Sequence, residues 1–126
     1  MKSAVASPAL PAPVGPYSPA VRCGDLLFIS GQIPVDPATG RPASGDIRSD
    51  TRRILENVRT LLGAAGLTLD HVVRTTVFLA DMNDFQAMND TYAEFFTPPY
   101  PARSTVQAAR LPRDARIEID AIASFR

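Results

Sequence analysis

Proline placement constrains this chain more than any other feature. Of the 12 prolines in 126 residues, eight lie before residue 43, four lie after residue 97, and none lies between. Proline fixes its own φ, lacks an amide donor and restrains the residue before it, so it is kept out of helix interiors and central strands. Long regular elements therefore belong to the span from Ala43 to Thr97, and the flanks belong to short strands, turns and ordered loops. This length suits one domain, residues 1–126, with a core that needs no disulfide or metal clip. A single Cys excludes a disulfide framework, and one Cys with one His falls short of a zinc site. Thirteen basic and 13 acidic side chains give a formal net charge of zero, which argues against nucleic acid as the partner. No apolar run approaches a bilayer span and no secretory pattern opens the chain, so no membrane partner is expected and the expected location is the cytoplasm.

Met1 to Pro13, with three prolines and small side chains, reads as a loosely held arm. Tyr17–Arg22 and Leu26–Ser30 flank Cys23-Gly24-Asp25, the pattern of a tight hairpin. Pro34, Pro37, Gly40 and Pro42 make residues 33–45 a loop. From Ile47, Thr51, Ile54, Leu55, Val58, Leu61, Leu62 and Ala65 recur at helical spacing, and Gly66 stands where a helix ends. Val72–Ala80 is a β-branched strand. Asp81 or Asn83 then caps a second helix carrying Phe85, Met88, Tyr92, Phe95 and Phe96, stopped by Pro98-Pro99. Strands follow at Ser104–Ala109 and Arg116–Phe125, joined around Pro112-Arg113-Asp114. The resulting order, β-β-α-β-α-β-β, predicts an α+β fold with a mixed sheet and both helices packed on one face.

Alternation along the last strand puts Ile117, Ile119, Ala121, Ala123 and Phe125 on the core side and Glu118, Asp120, Ile122 and Ser124 on the other. Leu26–Ile29 is apolar on both sides. A sheet whose open face carries large apolar groups needs a cover, and with no chain to spare the cover is another subunit. A homo-oligomer is expected.

The run Pro101-Ala102-Arg103-Ser104-Thr105-Val106, with Ala109-Arg110-Leu111-Pro112 and Ile117-Glu118-Ile119, resembles the signature of the RidA/YjgF family of enamine/imine deaminases. Gly15-Pro16-Tyr17-Ser18, Ser30-Gly31-Gln32-Ile33-Pro34, Glu56-Asn57-Val58 and Asn89-Asp90-Thr91-Tyr92 extend the resemblance over nearly the whole chain. It implies a chorismate-mutase-like fold and a homotrimer with ligand clefts between neighbouring subunits. The implied activity is hydrolysis of short 2-imino acids such as 2-iminopropanoate and 2-iminobutanoate to 2-keto acids and ammonia. No cofactor is implied, because an imine carbon is already electrophilic.

On that resemblance Arg103 grips the substrate carboxylate through its planar fork of donors, Glu118 activates water, and Tyr17 stabilises the ligand or passes a proton. Ser30, Gly31, Thr105 and Asn89 line the cleft. Thr105 stands where many members carry Cys, Gln107 and Asp120 where glutamates are common, and the segment 97–100 is shorter than usual, all of which bear on substrate preference. On residue types alone, Arg103 and Glu118 equally describe a structural ion pair, Tyr17 a packed hairpin residue, and Ser30 a strand end. The alternatives to short-chain deamination are a non-catalytic trimer that binds small carboxylates and a pathway-specific deaminase with a larger substrate. The prolines flank the implied site, where they would stiffen its rim.

Overall fold

The computed structural model describes residues 1–43 and 45–126. Six strands form one sheet: β1 Lys2–Val5, β2 Ala20–Cys23, β3 Leu26–Gln32, β4 Val72–Leu79, β5 Ala102–Gln107 and β6 Ile117–Ser124. Two α-helices, α1 Ile47–Ala64 and α2 Phe85–Tyr92, complete it. The sheet runs β1-β2-β3-β6-β4-β5, antiparallel throughout except for the parallel β4/β5 pair that α2 connects. This is the α+β fold with a mixed sheet that the spacing predicts.

One element departs from expectation. The arm read as loosely held begins as β1, in which Lys2 faces Cys23 and Val5 faces Ala20 across β2. Four residues with little apolar periodicity carry no strand signal of their own. Their pairing is created by the free edge of β2, whose backbone groups need partners. Residues beyond Val5 leave the sheet, and Leu10 and Val5 pack against the core.

Helix α1 forms where the proline-free span begins. Asp46 accepts from the Ser49 amide at 2.8 Å while the Ser49 hydroxyl caps the Asp46 amide, closing a capping box. Its apolar stripe, including Ile54, Leu55, Val58, Leu61 and Leu62, is fully buried on the sheet. At the other end Leu67 N donates to Leu62 O at 2.9 Å and Gly66 N to Gly63 O at 3.0 Å, with Gly66 at a φ of 77°. This is a Schellman stop, which needs a residue tolerant of the left-handed region. Asp81 rather than Asn83 opens the second helical segment, accepting from the Asn83 amide at 2.9 Å. A short 3-10 turn, Met82–Asp84, intervenes before α2.

The core lies between the helices and one face of the sheet. Val77, Leu79, Ile117, Ile119, Ala123 and Leu27 form its floor, all essentially inaccessible to solvent. The opposite face carries Phe28 paired with Ile122 and Phe78 paired with both Val106 and Glu118. Phe28 and Val106 remain 42% and 43% exposed there. Among the described residues no helix is long and apolar enough to cross a membrane.

Two nearby glycines should respond oppositely to alanine. Neither has a heavy atom within 4 Å of the added methyl group. Gly63 lies inside α1, so Gly63→Ala should stabilise the protein by about 0.5–1 kcal/mol. Gly66→Ala forces a Cβ into the left-handed region and should cost about 1–2 kcal/mol. Urea midpoints at fixed protein concentration measure both.

Candidate functional site

The residues singled out in the sequence fall into two groups on opposite faces of the sheet. Pairing decides this. Arg103 sits opposite Thr75 and Thr105 opposite Val77, and both partners are buried on the helix side. Glu118 sits opposite Phe78 and Asp120 opposite Thr76, on the open side. Cross-strand partners share a face, so Arg103 and Glu118 of one chain point away from each other. The intrachain ion pair that residue types alone allow is therefore absent.

The first group gathers around an irregularity in β3. Ile29 pairs with Ala121 and Gln32 with Ile119, leaving Ser30 and Gly31 together opposite Asp120. Such a bulge interrupts the ladder and re-aims the chain. A Cβ on Gly31 would displace the Glu118 carboxylate, which lies against the glycine. The Ser30 hydroxyl donates to Ser18 O at 2.7 Å and the Ser30 amide to Pro19 O at 3.0 Å. Ser30 thus tethers the segment that carries Tyr17, whose ring is 52% exposed beside Gly15. Glu118 is half-buried. Burial pushes its carboxyl above the usual glutamate range, and repulsion from Asp120 adds to the rise.

The second group lies on β5, an edge strand. Arg103 donates through Nη2 to Asn89 Oδ1 at 2.7 Å, and its guanidinium carbon lies 4.7 Å from the Tyr92 ring centroid and 5.7 Å from that of Phe85. Asn89 therefore orients the arginine within one chain. Tyr92 is fixed by a 2.8 Å hydrogen bond between its hydroxyl and Thr75 Oγ1, and by stacking on Phe96 at 4.6 Å. Burial raises the Tyr92 pKa and keeps the phenol neutral. Among the described residues no carboxylate pairs with Arg103. It is a half-buried cation held on neutral partners, with the rest of its donor fork uncommitted.

Thr105 follows on the same strand face as Arg103. Gln107 accepts from the Met82 amide at 2.8 Å through Oε1, so it secures the 3-10 turn before α2. Among the described residues no group of three or more His, Cys, Asp or Glu side chains could hold a metal ion.

A family profile described as Endoribonuclease L-PSP matches residues 7–125. A RutC family protein of Pyrococcus horikoshii is 51% identical, over 98% of each chain. A Salmonella typhimurium protein named 2-iminobutanoate/2-iminopropanoate deaminase is 48% identical over 100% of both chains. The chain belongs to the YjgF/RidA/RutC family. Its fold agrees: the crystal structure of the YjgF gene product of Escherichia coli superposes with a TM-score of 0.92 at 46% identity, covering 98% of this chain and 99% of that one. Names within the YjgF/RidA/RutC family divide between endoribonuclease, deaminase and the bare family title, so membership alone does not specify the reaction.

Two parts of the Arg103 setting are not visible in sequence. Tyr92 reads as one more aromatic in a core stripe, and Thr75 as an ordinary strand residue. Their roles come from the register that sets Thr75 beside Arg103 and under α2.

Glu118 gives a titration test. With its folded pKa raised, the native state binds the proton more tightly than the unfolded chain does. Its stabilising effect is therefore complete below the ordinary glutamate pKa and is lost as pH rises through the folded value. Glu118→Gln should accordingly raise stability at neutral pH and leave it unchanged in acid. Asp120→Asn should lower the Glu118 pKa while leaving it above the ordinary value, because burial is the larger cause. Carboxyl-carbon NMR titration and pH-dependent unfolding read these outcomes.

Proposed function

We propose that this protein hydrolyses short 2-imino acids to 2-keto acids and ammonia, in clefts between the subunits of a homotrimer. The observation that carries the reading is the division of the site: a carboxylate-seeking Arg103 on the outer edge strand and a poised Glu118 on the other face. Neither group has a reaction partner among the described residues of its own chain. Across a subunit boundary, Arg103 of one protomer meets the Tyr17, Gly31 and Glu118 group of the next. The apolar face bearing Phe28, Ile122 and Val106 finds its cover in the same assembly.

In such a cleft Arg103 binds the substrate carboxylate, held in place by Asn89 and Tyr92. Thr105, on the same strand face, lines this side, while Ser30 and Gly31 line the other. Glu118 takes a proton from water as the oxygen attacks the imine carbon, giving a carbinolamine. The same carboxyl returns that proton to nitrogen, then takes the carbinolamine hydroxyl proton and delivers it to nitrogen as the C–N bond breaks and the C=O bond forms, so that ammonia and the keto acid leave. The raised pKa of Glu118 suits both steps, since a base works best when its pKa approaches the working pH. In this reading the Tyr17 hydroxyl orients the water or the leaving amine. The substrate's C=N bond is the only electrophile required, so the reaction calls on no cofactor. The deaminase named among the relatives supports the substrate class.

Arg103→Ala and Glu118→Gln should each be inactive against imines generated in situ by threonine dehydratase and trapped by semicarbazide. Arg103→Ala should weaken keto-acid binding about 10- to 100-fold, whereas Glu118→Gln should retain binding and lose turnover by about 10²-fold or more. Wild-type turnover should decline as pH falls through the raised Glu118 pKa, at higher pH than an ordinary glutamate would give. Unfolding and refolding the two inactive variants together should restore activity. In a cyclic trimer each mixed assembly regains one intact cleft, so roughly a quarter of all clefts recover. Absence of recovery would exclude a cleft shared between subunits.

A further inference from the structure

Beside the Tyr17 and Gly31 group lies a pocket of about 380 Å³ that the hydrolytic steps do not use. One wall is the segment Leu10 to Val14, and the other is formed by Ile33, Val35 and Pro112. Tyr17 and Gly31 line its mouth, and the Glu118 carboxylate lies against Gly31. The pocket thus adjoins Gly31, the residue against which the Glu118 carboxylate lies.

Two polar side chains in its lining, Asn57 and Arg113, are engaged by the surrounding loops, and Asn57 Oδ1 is left as a single buried acceptor without a partner among the described residues. Asn57 is buried at its inner end and donates through Nδ2 to Val35 O at 3.0 Å, fixing the loop. Arg113 donates to Gly40 O at 3.1 Å. No carboxylate lines the pocket among the described residues, and most of its surface is proline and aliphatic carbon. A volume in the range of small-molecule sites, walled in this way, suits an uncharged apolar group. The methyl side chain of 2-iminopropanoate would leave it nearly empty.

We infer that this pocket is the side-chain subsite of the cleft, and that the protein's better substrates are 2-imino acids with branched or aromatic apolar side chains. The inference rests on the deaminase reading for the identity of the reacting group, and on the pocket alone for the chain-length preference. Each added methylene that leaves water for such a wall favours binding, and a hydrophobic pocket discriminates by about 10- to 200-fold per methylene at best.

Imines of alanine, leucine and phenylalanine, generated by an L-amino-acid oxidase and trapped by semicarbazide, provide the test. The leucine-derived imine should be hydrolysed with a kcat/KM at least about tenfold above the alanine-derived one. Ala12→Trp, an exposed wall position, should fill the pocket and abolish that preference. Calorimetric binding of 4-methyl-2-oxopentanoate against pyruvate reads the subsite without turnover, and the longer keto acid should bind at least about tenfold more tightly. Hydrolysis of all three imines at equal efficiency, with equal keto-acid affinities, overturns the subsite and leaves the deaminase reading standing. Failure to hydrolyse any imine, with the longer keto acid still preferred and Ala12→Trp still erasing that preference, overturns the deaminase reading and retains the subsite.

Discussion

Helices cover only one face of the sheet, and nearly everything else follows from that asymmetry. Side chains alternate across a strand, so once α1 buries its stripe on Leu27, Val77, Ile117 and Ile119, every intervening residue is committed to the far side. Glu118 and Asp120 are placed there by their neighbours in β6 and by nothing in their own chemistry. Arg103 is placed on the near side by its pairing with Thr75. The separation of Glu118 from Arg103 is thus a by-product of core formation. A site needing both groups is driven to the boundary between chains.

The setting of Arg103 shows how a cation is kept available. Burial of a charge is costly unless the charge is paired, yet a carboxylate partner would compete with an anionic ligand. Here the guanidinium leans on the faces of Tyr92 and Phe85 and on the amide oxygen of Asn89. Those contacts stabilise position and plane without neutralising charge. The hydrogen bond from Tyr92 to Thr75 links this cradle to the core, so the arginine's orientation depends on the packing of α2. Glu118 illustrates the converse. Partial burial beside Asp120, without a cation against it, raises its proton affinity, which a surface glutamate would not show.

The prolines take on meaning from this geometry. Pro11, Pro13, Pro19 and Pro112 line the pocket beside Tyr17, where the chain is neither helix nor strand and would otherwise be costly to order. Backbone restriction lowers that cost. Arg113, in the pocket lining, and Asp114, which follows it, have φ values of 56° and 57°, a left-handed pair unusual for residues other than glycine. The hydrogen bond from Arg113 to Gly40 helps hold the turn in that conformation.

Much of the fold was readable before any coordinates. The stripe from Ile47 to Leu62, the stop at Gly66, the β-branched run of β4 and the alternation in β6 are local patterns, and local backbone geometry responds to them directly. The residues of the site were likewise recognisable as types in a motif. Four features were not readable. The pairing of β1 depends on an unsatisfied edge elsewhere. Register determines that Arg103 and Glu118 face opposite ways, and a shift of one residue would reverse either. Asn89 supports the arginine only because α2 crosses β5 at that height. The pocket under Leu10 to Val14 exists because a segment without regular structure folds across a distant loop. Sequence alone determined which elements form, β1 excepted, and which chemical groups are present, because those depend on neighbours along the chain. Tertiary structure alone decided which groups meet, because alternation and register are settled between strands far apart in sequence.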